Sequence, residues 1–170
     1  IRYMVASSQP PLHRLIPHIS SSRIGAKIFA PILHHFDRVF LKLSGGRRTL
    51  TGALSGLPVV MLTTKGAKSG LNRTVPLLYI QNPDNPDEIA LIASNWGQYA
   101  YPAWYFNLSA NPQASTNING QIKTYRAHEA SGDEYERFWQ LATKVYFGFP
   151  RYKERASHRR IPIMILTAQN

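Results

Sequence analysis

The 170 residues, 44% of them hydrophobic, are enough for one domain with a single core. The absence of cysteine excludes disulfides, thiolate catalysis, iron–sulfur clusters and Cys-type zinc sites, and six histidines without H-x-x-x-H or H-E-x-x-H spacing give no reason to expect a metal. A net charge of +11 invites a nucleic-acid reading, yet residues 1–48 sum to +7, residues 49–150 to zero and residues 151–170 to +4. The body of the chain is neutral, and no nucleic-acid partner is expected.

Residues 1–22, with Pro10, Pro11, Pro17 and the run Ser20-Ser21-Ser22, lack periodicity and read as an arm. From Arg23 to Leu43, Ile24, Ile28, Ile32, Phe36, Val39, Phe40 and Leu43 recur at helical steps among Lys27, Arg38 and Lys42. This predicts a basic amphipathic helix, most regular from Pro31 and stopped by Gly45-Gly46. Two readings of its stripe stay open: a cover over one opening of the body, or a surface for anionic lipid. No apolar run reaches the roughly eighteen residues of a membrane span, and no signal peptide is evident. A cytoplasmic protein is expected, peripheral at the inner face of the cell membrane if the stripe meets lipid.

Strands are predicted at 58–64, 74–80 and 88–94, where β-branched and aromatic residues concentrate. Pro102–Ala110 reads as a short helix closed by Asn111-Pro112. Strands at 114–119 and 121–129 meet at Asn119-Gly120, a type I′ hairpin signal. Ser131-Gly132-Asp133-Glu134 matches a capping box, and Tyr135, Phe138, Trp139, Ala142 and Val145 give the following helix an aromatic face. A turn is expected at Gly148-Phe149-Pro150 and a last strand at 161–167. The predicted class is α+β, mainly β: a six-stranded barrel over residues 49–170 with one main late helix, preceded by the arm and helix of residues 1–48.

The hairpin tip between the first two strands carries the clearest chemistry. In Gly66-Ala67-Lys68-Ser69-Gly70-Leu71-Asn72-Arg73 the glycines admit close backbone approach, Lys68 and Arg73 bring positive charge, and Ser69 and the loop amides donate hydrogen bonds. Such a tip suits an anion, although the same residues also suit a soluble turn. It is not a Walker loop, since the G-x-x-x-x-G-K-[ST] order is absent and a strand follows.

The tip, G-x-K-S-G-x-x-R-x-x-P-L, is followed by A-S-x-x-G at Ala93–Gly97, by P-x-W-x-x-N-L-x-x-N-P at Pro102–Pro112, and by Arg160-Ile161-Pro162-Ile163-Met164-Ile165-Leu166. In this order the motifs resemble the deazaflavin-dependent nitroreductase family, over about two thirds of the chain. The resemblance implies a split β-barrel and coenzyme F420. It implies that Lys68, Ser69 and Arg73 hold the phosphate and acidic tail of the cofactor, with Thr74, Val75, Pro76 and Leu77 as a wall along it. Ala93, Ser94, Asn95 and Trp96 would then lie near the deazaflavin ring, and Pro102, Ala103, Trp104 and Tyr105 beside it. For Trp104 a place in the core is the competing reading.

Because the cofactor carries the redox chemistry, the protein must supply position and a proton donor. Ser94, Tyr146 and Tyr152 are the candidate donors, in an enzyme passing hydride to a quinone, enone or nitro compound. The family places substrate-facing tyrosines near residues 146–152; here Phe149 stands where a hydroxyl would be expected. Two alternatives remain at this point: an FMN-dependent reductase, and a non-catalytic barrel that carries a lipid, tetrapyrrole or other cofactor. The residues leave oligomeric state open.

Overall fold

The computed structural model describes residues 56–169; the arm and basic helix expected within residues 1–48 lie outside them. The described elements are β1 (Val59–Lys65), β2 (Asn72–Gln81), β3 (Glu88–Ile92), a 3-10 turn (Asn95–Gly97), α1 (Ala103–Ala110), β4 (Gln113–Ile118), β5 (Gln121–Glu129), α2 (Gly132–Val145), α3 (Gly148–Arg155) and β6 (Ile163–Ala168). The strands close in the order β1-β2-β3-β6-β5-β4, with every pair antiparallel. The six-stranded barrel expected from the strand pattern is therefore present.

Strict antiparallel alternation has a consequence for function. β1, β3 and β5 finish at the barrel end where β2, β4 and β6 begin. The β1–β2 tip, the segment after β3, α1 and the approach to β6 therefore gather at one end, although nearly a hundred residues separate the first from the last. The Asn82–Asp87 loop and the Asn119-Gly120 turn lie at the other end. That turn has φ of 53° and 90° at its two central residues, the positive pair that type I′ requires.

Successive side chains of a strand point to opposite faces, and β3 and β6 bury both. Ile89, Leu91, Met164 and Leu166 fill the barrel interior with Val60 and Leu62, while Trp104 and Leu108 of α1 close it at the tip end. Ala90, Ile92, Ile163 and Ile165 face outward against Tyr135, Phe138 and Ala142 of α2 and Phe149 and Tyr152 of α3. Double burial explains why Glu88-Ile89-Ala90-Leu91-Ile92 and Ile163-Met164-Ile165-Leu166 are almost wholly apolar rather than alternating. Each fully buried Leu or Ile contributes about 1.5–3 kcal/mol relative to exposure.

Three local expectations need correction. The Ser131 capping box does not form: the chain enters α2 through Gly132 at φ +53°, Ser131 makes no side-chain cap, and Glu134 turns to His128 at 3.0 Å. The expected turn at 148–150 is the first turn of helix α3, where Pro150 loses nothing by lacking an N–H. Strand β3 stops at Ile92 rather than 94, because the Ser94 amide bonds back to Ile92 O at 2.8 Å.

Candidate functional site

Lys65 and Asn72 form the last pair of the β1–β2 ladder, and the six residues between them make the tip. The Gly66 amide donates to Leu71 O and the Gly70 amide to Gly66 O, both at 2.8 Å. A Cβ on Gly66 would lie 2.6 Å from Ser69 Oγ and 3.2 Å from Leu71 O, crowding the turn, and Gly70 at φ +67° takes the left-handed backbone that glycine allows. Ser69 Oγ accepts from the Leu71 amide at 3.3 Å, which leaves its O–H free to donate. Lys68 and Arg73 are exposed and face no carboxylate within ion-pair distance among the described residues, whereas Lys123, Arg137 and Arg160 each do.

Asn107 holds the tip in place from α1, a role its motif position did not disclose. It is buried, donates Nδ2 to Thr64 Oγ1 at 3.0 Å and accepts from the Ala67 amide at 3.0 Å. Three residues after Trp104, it shares a helix face with that core side chain, and this spacing is the one sequence signal for it. Asn107→Ala strips its partner from a buried hydroxyl, worth about 1–3 kcal/mol when left unsatisfied, and from the part-buried Ala67 amide, worth about 0.5–1.5 kcal/mol. The expected result in denaturant titration is a loss of about 2–4 kcal/mol, while Asn107→Asp, which can still accept from Ala67, loses less.

Among the described residues, a gap in strand pairing lies beside the tip. β2 pairs with β1 from Asn72 to Leu78 but with β3 only from Tyr79 to Gln81. Continuing the β2–β3 register would set Leu77 opposite Ala93 and Val75 opposite Asn95, yet the pairing ends at Tyr79–Leu91. The expected cofactor residues of β2 and of the segment after β3 thus flank one unpaired edge. The Tyr79 amide donates to Pro58 O on the β1 side at 3.1 Å, so by alternation Pro76 turns its nitrogen to the unpaired side, where a missing donor costs no ladder bond. Val75 and Leu77 lean on the barrel interior, and Thr74 Oγ1 meets Thr63 Oγ1 at 2.9 Å.

Across the gap, the backbone after Ser94 turns left-handed for three residues, with φ of 46° at Asn95, 59° at Trp96 and 74° at Gly97. Two successive non-glycine residues there, one a tryptophan, are strained. Gly97 packs so tightly on α3 that a Cβ would lie 2.8 Å from Arg155 Cβ and 2.9 Å from Tyr152 O. Asn95 Nδ2 donates to Ala100 O at 2.8 Å. Arg159 donates to Ser94 O at 2.8 Å, Gln98 O at 3.1 Å and Ala93 O at 3.5 Å, and its guanidinium lies 4.6 Å from the Tyr101 ring centre. Neither Arg159 nor Tyr101 was foreseen. Ala93 and Ser94 are buried, and the Ser94 side chain makes no cap to the turn that follows it.

Tyr146 and Tyr152, each 4% exposed, place their hydroxyl oxygens 3.0 Å apart instead of in water. Burial, then the neighbouring Tyr146, push the Tyr152 pKa well above the ordinary tyrosine value, so its hydroxyl stays protonated through the neutral range. The Tyr152 ring lies 6.0 Å from Trp96, which joins the tyrosine pair to the left-handed turn. Phe149 stands edge-on to both tyrosines, a packing role that accounts for the missing hydroxyl. On α1, Pro102 is the N-cap, Ala103 is exposed, Trp104 is packed into the barrel interior, and Tyr105 donates to Glu129 at 2.8 Å. Trp104 thus occupies the core position that competed with a ligand contact.

A closed antiparallel barrel with α1 over its tip end, α2 and α3 against its outer face, and a cationic tip beside a strand edge left unpaired among the described residues is a split-barrel protein. The sequence pattern of the F420H(2)-dependent quinone reductase family matches residues 36–168, and the chain belongs to that family. A Mycobacterium tuberculosis protein provisionally assigned as an F420H(2)-dependent quinone reductase is 36% identical over 110 residues, covering 65% of this chain and 89% of its own. Another from the same organism, named F420H(2)-dependent quinone reductase, is 32% identical over 116 residues, 65% of this chain and 73% of that one. A solved F420-H2 dependent reductase superposes with a TM-score of 0.58 at 36% identity, covering 64% of this chain and 93% of that structure.

The chain is therefore an F420-dependent oxidoreductase with coenzyme F420 as its cofactor. The family is narrower than the nitroreductase group expected from the motifs: its members are quinone reductases, and nothing in these relatives supports nitro reduction.

Proposed function

We propose that the chain holds F420 along the gap between β2 and the Ser94–Gly97 turn and reduces a quinone there. The observation that carries this reading is the position of Lys68 and Arg73, exposed cations with no carboxylate partner among the described residues, at the mouth of that gap. A phosphodiester and a run of carboxylates need several fixed donors and charges, and Lys68, Ser69 and Arg73 supply them. Thr74, Val75, Pro76 and Leu77 form one wall. Ala93, Ser94, Asn95 and Trp96 form the other, with Pro102, Ala103 and Tyr105 beyond it.

Reduced F420, when bound, supplies the hydride. A quinone that accepts hydride gains charge on its oxygen and needs one proton to become the hydroquinone. The Ser94 hydroxyl and the Tyr146–Tyr152 pair are the hydrogen-bond donors available to that oxygen, the proton itself coming from solvent, and the α2–α3 aromatic cluster packs around the pair. Mixing the protein with reduced F420 and a small quinone should regenerate oxidised F420 in step with hydroquinone formation. Binding of F420 without turnover would instead make the protein a cofactor carrier.

Among the described residues no helix is long and apolar enough to cross a membrane. We propose peripheral docking through the basic residues 1–48, where each Lys or Arg near an anionic surface contributes about 1 kcal/mol. Co-sedimentation with phosphatidylserine-containing vesicles should be strong at low salt and weak at high salt. Equal binding to neutral and anionic vesicles would leave residues 23–43 as a cover for the barrel.

A further inference from the structure

We propose that Arg159 is the positioning residue of the site, holding the strained Asn95–Gly97 turn in its ligand-ready shape and tying it to the helix that bears Tyr152. The inference rests on the reading of residues 93–96 as one wall of the cofactor site. A left-handed run that includes Asn95 and Trp96 persists only where its surroundings leave no alternative. Of the four carbonyls that receive Arg159, Ala93 and Ser94 lie before that run and Gln98 after it, while the fourth belongs to the adjoining Arg160. The first three converge on one planar fork because residues 95–97 curl left-handed, so the guanidinium closes the segment as a staple.

The staple is itself anchored. The Arg159 amide bonds to Ala156 O at 2.9 Å, directly beyond α3, and the Tyr101 ring stacks against the guanidinium. Gly97 sits against Tyr152 O on the same helix. The Ser94 hydroxyl, the Trp96 ring and the Tyr152 hydroxyl therefore belong to one rigid unit whose geometry Arg159 sets without touching the acceptor. Lysine cannot replace it, because an ammonium is a point donor on a flexible stem and does not span three separate carbonyls.

Two measurements test the proposal in Arg159→Ala and Arg159→Lys. In the apoprotein, amide hydrogen exchange at Gly97 and Gln98, whose N–H groups donate to Ser94 O and Asn95 O, should accelerate at least about tenfold while barrel-strand amides keep their protection. With cofactor, F420 affinity should fall about tenfold or more in both variants. Low millimolar guanidinium ion should restore affinity to Arg159→Ala, and methylammonium should not. Unchanged exchange at Gly97 and Gln98, full affinity in Arg159→Lys, or exchange that rises equally throughout the barrel would overturn the proposal. Failure of the parent protein to bind F420 would instead overturn the functional reading, since the exchange measurement needs no cofactor.

Discussion

Tyr152→Phe is expected to lower kcat for quinone reduction by about a hundredfold, the usual cost of losing one preorganised donor to developing oxyanion charge. F420 affinity should hardly move, because the hydroxyl acts mainly in the transition state. Tyr146→Phe should behave alike, as the two hydroxyls are 3.0 Å apart and work as one buried pair. With its pKa raised by burial, Tyr152 remains a donor across about pH 6 to 9, so the rate profile should show no tyrosine ionisation there. The sign for stability follows from the same shift. The neutral form is favoured in the folded state, so its contribution is complete below about pH 10 and is lost as pH rises beyond it. Alkaline unfolding should therefore be steeper in the parent than in Tyr152→Phe. Stopped-flow oxidation of bound reduced cofactor reads the rate directly, and parent rates in both variants would move the donor to Ser94 or to water.

The Lys68→Ala, Arg73→Ala double variant should weaken F420 binding about a hundredfold, from charge-assisted contacts worth about 1.5–3 kcal/mol each, at the low end because both side chains are exposed. The parent's affinity should fall as salt is added, and the variant's should respond less. Stability should stay close to that of the parent, since neither side chain supports the barrel as Asn107 does. Parent-like affinity in the double variant would remove the tip from the site.

The barrel was legible in the sequence because each strand carries a local signal: β-branched runs, the Asn119-Gly120 turn and the glycine-bounded tip. What escaped was long-range or two-sided. Gly148-Phe149-Pro150 reads as a turn on local composition, but proline suits the first turn of a helix equally well, and packing of Phe149 and Tyr152 against α2 and the barrel decides for α3. Ser131 and Glu134 have the spacing of a capping box, yet His128 on the neighbouring strand competes for Glu134. Arg159 meets Ser94 across 65 residues of chain, and no local pattern marks that encounter. Asn107 was visible as a letter in a motif, but its role emerges only when α1 lies over the tip. The candidate site was legible as a set of motifs, and the antiparallel order that brings them to one barrel end came from the fold.

The most direct test of the central claim is a fluorescence titration of the purified chain with F420 and, in parallel, with FMN and FAD. The proposal predicts saturable binding of F420 and much weaker binding of FMN, which carries the phosphate but lacks the acidic tail that the proposal assigns to Lys68 and Arg73. FMN or FAD binding as tightly as F420, or no binding of F420 by a folded protein, would contradict it.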